Sequence, residues 1–516
     1  GRAAFLLVDA FHGNVIQTQN NTINIYAREN TIFAIAGRNE AMNDIGRATH
    51  APVQNSYVKG QYVTKFSGNT DITINHRNNT VYTMARLLPG FRLENTGTIN
   101  LNSASNVLFS LQTWIPDKSK YIGNIFGNHD DGNPAHGEGP ANEYKPYIKV
   151  DPNKPINVYG DENVGLFMTR YTDPHTGLDP LYDPRTFNTG MHQGKIELYM
   201  NIGKNLNSNT SLTEQTAEGN LETDIHGNPT GYSNKKADAN VAVYVQSGQR
   251  TGIDMPSLYT PTCGSYNCTH FDLDPIHNLE VGKMDISFGK YSKNGFMMIA
   301  KDGSVIDVGK ATHQYYVTNL STSITDGVNG ATTTEADAST GTTIAYAEGT
   351  WDQSKHQLGS KQADLNQNNT DAAAVNAGAA RKALTDTTAS TAAKLQGLGS
   401  EINVYTDVVL ASKEGIAYMG DNKGIVNAMG TTEAVNYGSI IAYAKNKGIV
   451  TVNGAVKAED KNTVSEANKF KNIGAFAEAG GKAELKGAVT INGIGAFAKG
   501  VGSEAILSSA NNNVVI

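Results

Sequence analysis

The sequence holds two cysteines, two tryptophans and only 18% charged residues in 516 positions. The scarcity is also positional. The last of 15 prolines is Pro275, the last of 12 histidines is His356, and residues 401 to 516 contain no Pro, His or Cys. Two cysteines cannot staple a chain of this length, and His270 and His277 do not stand at a finger spacing from them, so no structural metal site is expected. No run reaches the roughly 18 consecutive apolar residues of a spanning helix. The opening GRAAFLLVDA lacks a charged segment followed by a long apolar one. With 42 Lys and Arg against 49 Asp and Glu, the net charge of −7 leaves no cationic excess for a phosphate backbone, so nucleic acid is not an expected partner.

What the chain does have is glycine, 53 residues, and short apolar strings that recur. KNIGAFAEAGGKAELKGAVTI begins at Lys471 and NGIGAFAKGVGSEAILSSANN at Asn492, which places their IGAFA strings at Ile473 and Ile494. GIAYM at Gly415, SIIAYA at Ser439 and TIAYA at Thr343 are related, and KGIVTVNGAV from Lys447 and KAELKGAVTI from Lys482 alternate with them. Farther toward the N-terminus come TGTINLNS at Thr96, GKIELYMNI at Gly194 and NNTINIYA at Asn20. Four to six apolar or alternating residues rich in β-branched types, closed by Asn-Gly or Gly-Gly, are strand signals, too short for helices. A period of about 21 with two or three such strands predicts an all-β fold, a parallel β-helix (solenoid) with long loop insertions. One ring per coil, at Phe476, Phe497, Tyr443 and Tyr418, is expected to stack on its equivalent in the next coil.

The strings divide the chain. Coils are expected over 1–102, 164–247, 280–317 and, most regularly, 401–516. A Pro-, Tyr- and His-rich insertion is expected over 103–163, a second over 171–191 with three Asp-Pro pairs, a third over 248–279, and a Thr/Ala-rich insertion or flexible segment over 318–400. Long loops on a repetitive scaffold carry recognition, because stacked coils hold their roots rigidly.

Tests for chemistry return little. GNHD at Gly127–Asp130 matches one block of the metallophosphoesterase signature, but the accompanying GDxxD and GHxH blocks are missing, so that activity is not expected. Asn128, Asp130, Asp131, Asn133 and Glu138 offer oxygen ligands without the spacing of an EF-hand, and a solvated loop is the simpler reading. There is no GxSxG elbow, Walker A or dinucleotide pattern. Carboxylates paired for glycoside cleavage, as in polysaccharide-cleaving β-helices, are not discernible. The chain is therefore expected not to be an enzyme and to use no cofactor or metal. The 103–163 insertion suits binding: Trp114, Tyr121, Tyr144 and Tyr147 offer ring area, while His129, Asp130 and Asp131 supply polar contacts for a sugar or a cationic side chain. Cys263 and Cys268, in CGSYNC, are expected to close a small disulfide loop in an oxidising exterior.

NTGTINL followed by NVLFSL, ENVGLFM, GKIELYMNIGKN, KNGFMMIAKDGSVIDVG and the late GIGAFAKG together resemble the passengers of large type V autotransporters, most closely the fusobacterial outer-membrane adhesins of the RadD and galactose-binding type. The resemblance covers most of the chain as a style of repeat and insertion. It implies a monomeric right-handed β-helical rod on the outer side of the bacterial outer membrane, attaching to other bacteria and to host-cell glycans of the galactose or N-acetylgalactosamine type, or to surface receptors including those of immune cells. The family's C-terminal membrane barrel and signal peptide have no counterpart in this sequence, so an internal passenger fragment is expected. A polysaccharide-cleaving enzyme and a purely structural stalk are the alternatives.

Overall fold

The computed structural model describes residues 4–9, 15–36, 64–66, 68–85, 91–93, 97–113, 147–170, 195–204, 221–223, 229–233, 237–246, 280–281, 283–301, 303–308, 323–326, 338–350, 399–460, 471–509 and 514–515. These residues form an all-β structure in which no helix is present, and none therefore is long and apolar enough to cross a membrane. Apart from one small antiparallel hairpin (Leu221–Thr223 with Pro229–Ser233), every ladder is parallel. The arrangement is compatible with a β-helix.

The longest sheet, ladder I, has twelve strands. In order these are Ala4–Asp9, Thr31–Ala36, Thr80–Ala85, Val107–Thr113, Val164–Arg170, Val241–Val245, Phe296–Lys301, Thr343–Glu348, Ile416–Asp421, Ile440–Lys445, Asn472–Glu478 and Gly493–Lys499. Between successive members the chain supplies one strand to each of two further ladders. In the C-terminal part these are a seven-stranded sheet (ladder II, for example Ile425–Ala428 and Ile449–Val452) and a six-stranded sheet (ladder III, for example Thr432–Ala434 and Val456–Ala458). In the N-terminal part ladders II and III fuse at one long strand, Lys195–Ile202, whose first residues pair with Tyr147–Lys149 of ladder II and whose last pair with Ile156–Val158 of ladder III. Three strands, one per ladder, make a tier.

Ladder I strands share a six-place pattern. In Ile440–Lys445 the burial runs half-buried, buried, buried, half-buried, buried, half-buried. Two consecutive inward residues break the period-2 alternation, and the pairing register skips the second place, as at a bulge that bends the strand around the interior. The interior is one continuous apolar cluster fed by all three ladders, from Ile23 to Ile491.

The turn entering ladder I repeats as well. Its last residue but one stands at positive φ from Glu29 (62°) through Glu162 (53°) to Glu414 (54°). The next residue is Asn in five successive tiers. The Asn79 side-chain oxygen accepts the Asn30 N–H at 2.9 Å, and Asn106, Asn163 and Asn240 accept from the Asn before them at 2.8, 2.9 and 2.7 Å. The partners stand 49, 27, 57 and 77 residues apart, so tiers of very different length share one geometry at this turn.

Candidate functional site

The corner leaving ladder I is where the tiers differ. Three C-terminal tiers close it with two residues at positive φ, Asn422-Lys423, Asn446-Lys447 and Ala479-Gly480. A glycine follows each pair because the backbone of the preceding tier leaves no space: a Cβ at Gly424, Gly448 or Gly481 would overlap the carbonyl of Ala347, Gly420 or Ala444. In five earlier tiers the chain leaves this corner by a long stretch, whereas after Phe296–Lys301 it turns tightly at Gly303 into Val305–Val308. The five longest stretches outside the described residues, 37–63, 114–146, 171–194, 247–279 and 351–398, are each bracketed by the end of a ladder I strand and the start of a ladder II strand.

Most of the expected binding residues fall there. Trp114, Tyr121, His129, Asp130, Asp131 and Tyr144, and Cys263 and Cys268, lie outside the described residues. Tyr147 does not belong to a loop: it opens the ladder II strand Tyr147–Lys149 and pairs with Arg92 and Lys195, because YIKV, between Pro146 and Pro152, alternates as a strand. The expected insertion 103–163 also contains the strands Val107–Thr113 and Ile156–Val158, and 318–400 contains Ser323–Asp326 and Thr343–Glu348. Tyr159 is half-buried beside the ladder, its N–H bonded to Leu101 O at 2.9 Å, and burial raises its hydroxyl pKa.

The outer face of ladder I beside this corner carries the aromatic column. Tyr443 stacks on Phe476 at 4.8 Å and 7°, and Phe476 meets Phe497 at 5.3 Å and 33°. Tyr418 does not join them. It stands opposite Ala442, one place earlier in the strand than Tyr443, and faces the interior, fully buried, with its hydroxyl 2.8 Å from Thr432 Oγ1. Met419 occupies the place in the outer column that Tyr418 was expected to fill. Because the rings lie face to face along the column, their faces are used against one another and are not platforms for a sugar.

A charged column borders the rings: Lys301, Glu348, Asp421, Lys445, Glu478 and Lys499 stand in register. Lys301 pairs with Glu348 at 2.7 Å and Lys445 with Asp421 at 3.1 Å. The Tyr346 hydroxyl donates to Asp421 Oδ2 at 3.3 Å and that of Tyr443 to Glu478 Oε1. Burial, then the adjacent carboxylates, raise both tyrosine pKa values above the ordinary 10.0. This column had a sequence signal, a charge two residues after the ring in TIAYAE, IIAYAK, NIGAFAE and GIGAFAK, that a search for catalytic motifs passes over. Among the described residues no group of three or more His, Cys, Asp or Glu is placed to hold a metal ion.

No family model, no curated protein and no solved structure matches the chain.

Proposed function

We propose that the three ladders are the faces of a right-handed parallel β-helix and that this helix is the rod of a cell-surface adhesin. The right hand follows from the crossover rule for parallel strands. The observation that carries the functional reading is the shared corner: five long stretches, including the one with Trp114, Tyr121, His129, Asp130 and Asp131, are rooted along one edge of a rigid support. A linear array of roots suits multivalent attachment, in which weak contacts to glycans or protein receptors on another cell add through their high local concentration. The uneven tier lengths support the same division of labour, since the turn geometry at the Asn column is unchanged whether 27 or 77 residues intervene. Exposure outside a bacterial cell, and attachment to host cells and other bacteria, belong to this reading.

The test uses the intact chain and a version in which 115–145 is replaced by a short Gly/Asn turn, which keeps the strands Val107–Thr113 and Tyr147–Lys149. On a glycan and receptor array, the intact chain is expected to bind and the shortened one to lose some of its ligands with its strand spectrum unchanged. Equal binding by both would remove 114–146 from the head. Release of reducing ends from a polysaccharide would replace the adhesin by an enzyme.

A further inference from the structure

We propose that the outer face of ladder I between Ile416 and Lys499 is a self-recognition surface, on which a second copy of this chain docks antiparallel. The two-fold axis of the pair passes between strands Ile440–Lys445 and Asn472–Glu478. Three outward columns cross these four strands. One is Ile416, Ile440, Ile473 and Ile494; the next is Met419, Tyr443, Phe476 and Phe497; the third is Asp421, Lys445, Glu478 and Lys499, of which Asp421 is only 7% exposed and held by Lys445, Tyr346 and Asn446. Two adjacent apolar columns on one sheet face are unusual for a surface left to water, where apolar side chains are ordinarily scattered. Ile494 and Phe497, on the last strand of the ladder, are 43% and 45% exposed, where Ala496 and Ala498 are exposed as well, and the side chains before them in each column are half-buried. Ladder II presents Ile425, Ile449 and Lys482 beside Asn427, Thr451 and Glu484, and ladder III presents Glu433, Lys457 and Thr490, at their outward places in these tiers, so neither carries two apolar columns side by side.

The charged column selects the occupant. Its signs run minus, plus, minus, plus, a pattern that becomes its own complement when reversed. Rotation about the stated axis sets Lys445 against Glu478 of the second copy, twice by symmetry, and brings Lys499 over the edge of Asp421 of the second copy, so every facing pair is of opposite sign. Moving the axis onto strand Ile440–Lys445 would set Lys445 against itself and Asp421 against Glu478, which like-charge repulsion opposes. A parallel pair would send the charged columns to opposite edges. A polyanion or polycation would be repelled by half of the column. The same rotation lays Tyr443 against Phe476 and Ile440 against Ile473, ring to ring and aliphatic to aliphatic.

The footprint is about 20 Å by 20 Å, four strand spacings by six residues. That is roughly half the area per partner of a standard stable complex, so the pair is weak and reversible, and a dilute chain is monomeric. Such a contact gains weight only where many copies are held side by side.

Sedimentation equilibrium of the whole chain, over a series reaching about 1 mM, is expected to show the mass rising toward twice the monomer, with added salt weakening the rise. Ile473→Lys with Phe476→Lys is expected to hold the chain monomeric with an unchanged strand spectrum. Should that variant misfold, Lys499→Glu, at the exposed end of the column, is expected to weaken pairing about tenfold through two symmetric contacts. A chain with Asp421→Lys, Lys445→Glu, Glu478→Lys and Lys499→Glu together should pair with itself and not with labelled native chain. A native chain that stays monomeric throughout the series, whether or not its own segments cover the face, overturns the proposal. So does unweakened pairing in Lys499→Glu, or free mixing of the inverted and native chains. None of these outcomes depends on ligand binding, so failure of the attachment reading would be seen separately.

Discussion

In the strand Val107–Thr113 the ring stands third, at Phe109, and faces the interior; in Ile440–Lys445 it stands fourth, at Tyr443, and faces out. The shift of one place divides the molecule. Phe33, Tyr82 and Phe109 stack inside the N-terminal tiers, with centroids 4.8 and 5.3 Å apart, and Phe66 sets its edge against Phe33 at 5.3 Å. In the C-terminal tiers the corresponding inner places are Ala442, Ala475 and Ala496, and the rings run up the outside. Close packing requires the interior to be filled in every tier. Phe33, Tyr82 and Phe109 fill it in the N-terminal tiers, Tyr418 fills it in the 24-residue tier from Asn403 to Asn427, and alanine suffices at Ala442 and Ala475.

The sharpest way to break this comparison is to remove one ring from each stack. Phe109→Ala should cost about 3–5 kcal/mol by leaving a cavity, and Phe476→Ala about 1 kcal/mol or less, since it loses mainly ring contact at the surface. Urea unfolding of each variant measures both, and equal losses would mean that the outer rings carry the C-terminal tiers. Next in size is the closed corner. Gly448→Val places a branched side chain against the Gly420 carbonyl and should destabilise by more than about 2 kcal/mol, whereas substitutions at the opened corners should not.

The Asn column joins the N-terminal tiers. Asn106→Ala removes the acceptor of the Asn79 N–H and the Asn106 donor to the Ser103 carbonyl, at an expected cost of about 1–3 kcal/mol, read by hydrogen exchange at Asn79. A smaller effect of opposite sign is expected at Glu414, which holds φ 54° in an exposed turn: Glu414→Gly should stabilise by up to about 1 kcal/mol. The smallest effect is one of pH. Tyr346, Tyr418 and Tyr443 have folded pKa values raised above 10.0, so the folded state holds their protons after the unfolded chain has lost them. Stability is therefore unaffected by these groups below about pH 10 and falls as pH rises beyond it. An alkaline titration followed by circular dichroism, native against Tyr418→Phe, measures the share of the interior hydroxyl.

Much of this was legible along the chain. The IGAFA strings at Ile473 and Ile494 pair in the register their alignment suggests. Strands at GIAYM, SIIAYA, TIAYA, KGIVTVNGAV and KAELKGAVTI are all present, closed by Gly and Asn turns as expected. Tyr418 shows the limit. GIAYM and SIIAYA look alike, yet the ring of the first is third in its strand and that of the second is fourth, and an apolar string gives no sign of where a strand bends. Tyr147 shows another: proline density marks a region, not the residue at which a strand resumes. Of the candidate head, the sequence could place residues between strands without giving the corner at which those strands end.

Composition, period and turn chemistry are local properties, and they were enough to determine that this chain forms short parallel strands separated by tight Gly/Asn turns and long interruptions. Which residues face inward depends on the register of one tier against the next, and that is settled only when neighbouring tiers compete for the same interior volume. The gathering of the five longest interruptions at one corner is of the same kind. It follows from the stacking of strands far apart in sequence, and no single segment carries it.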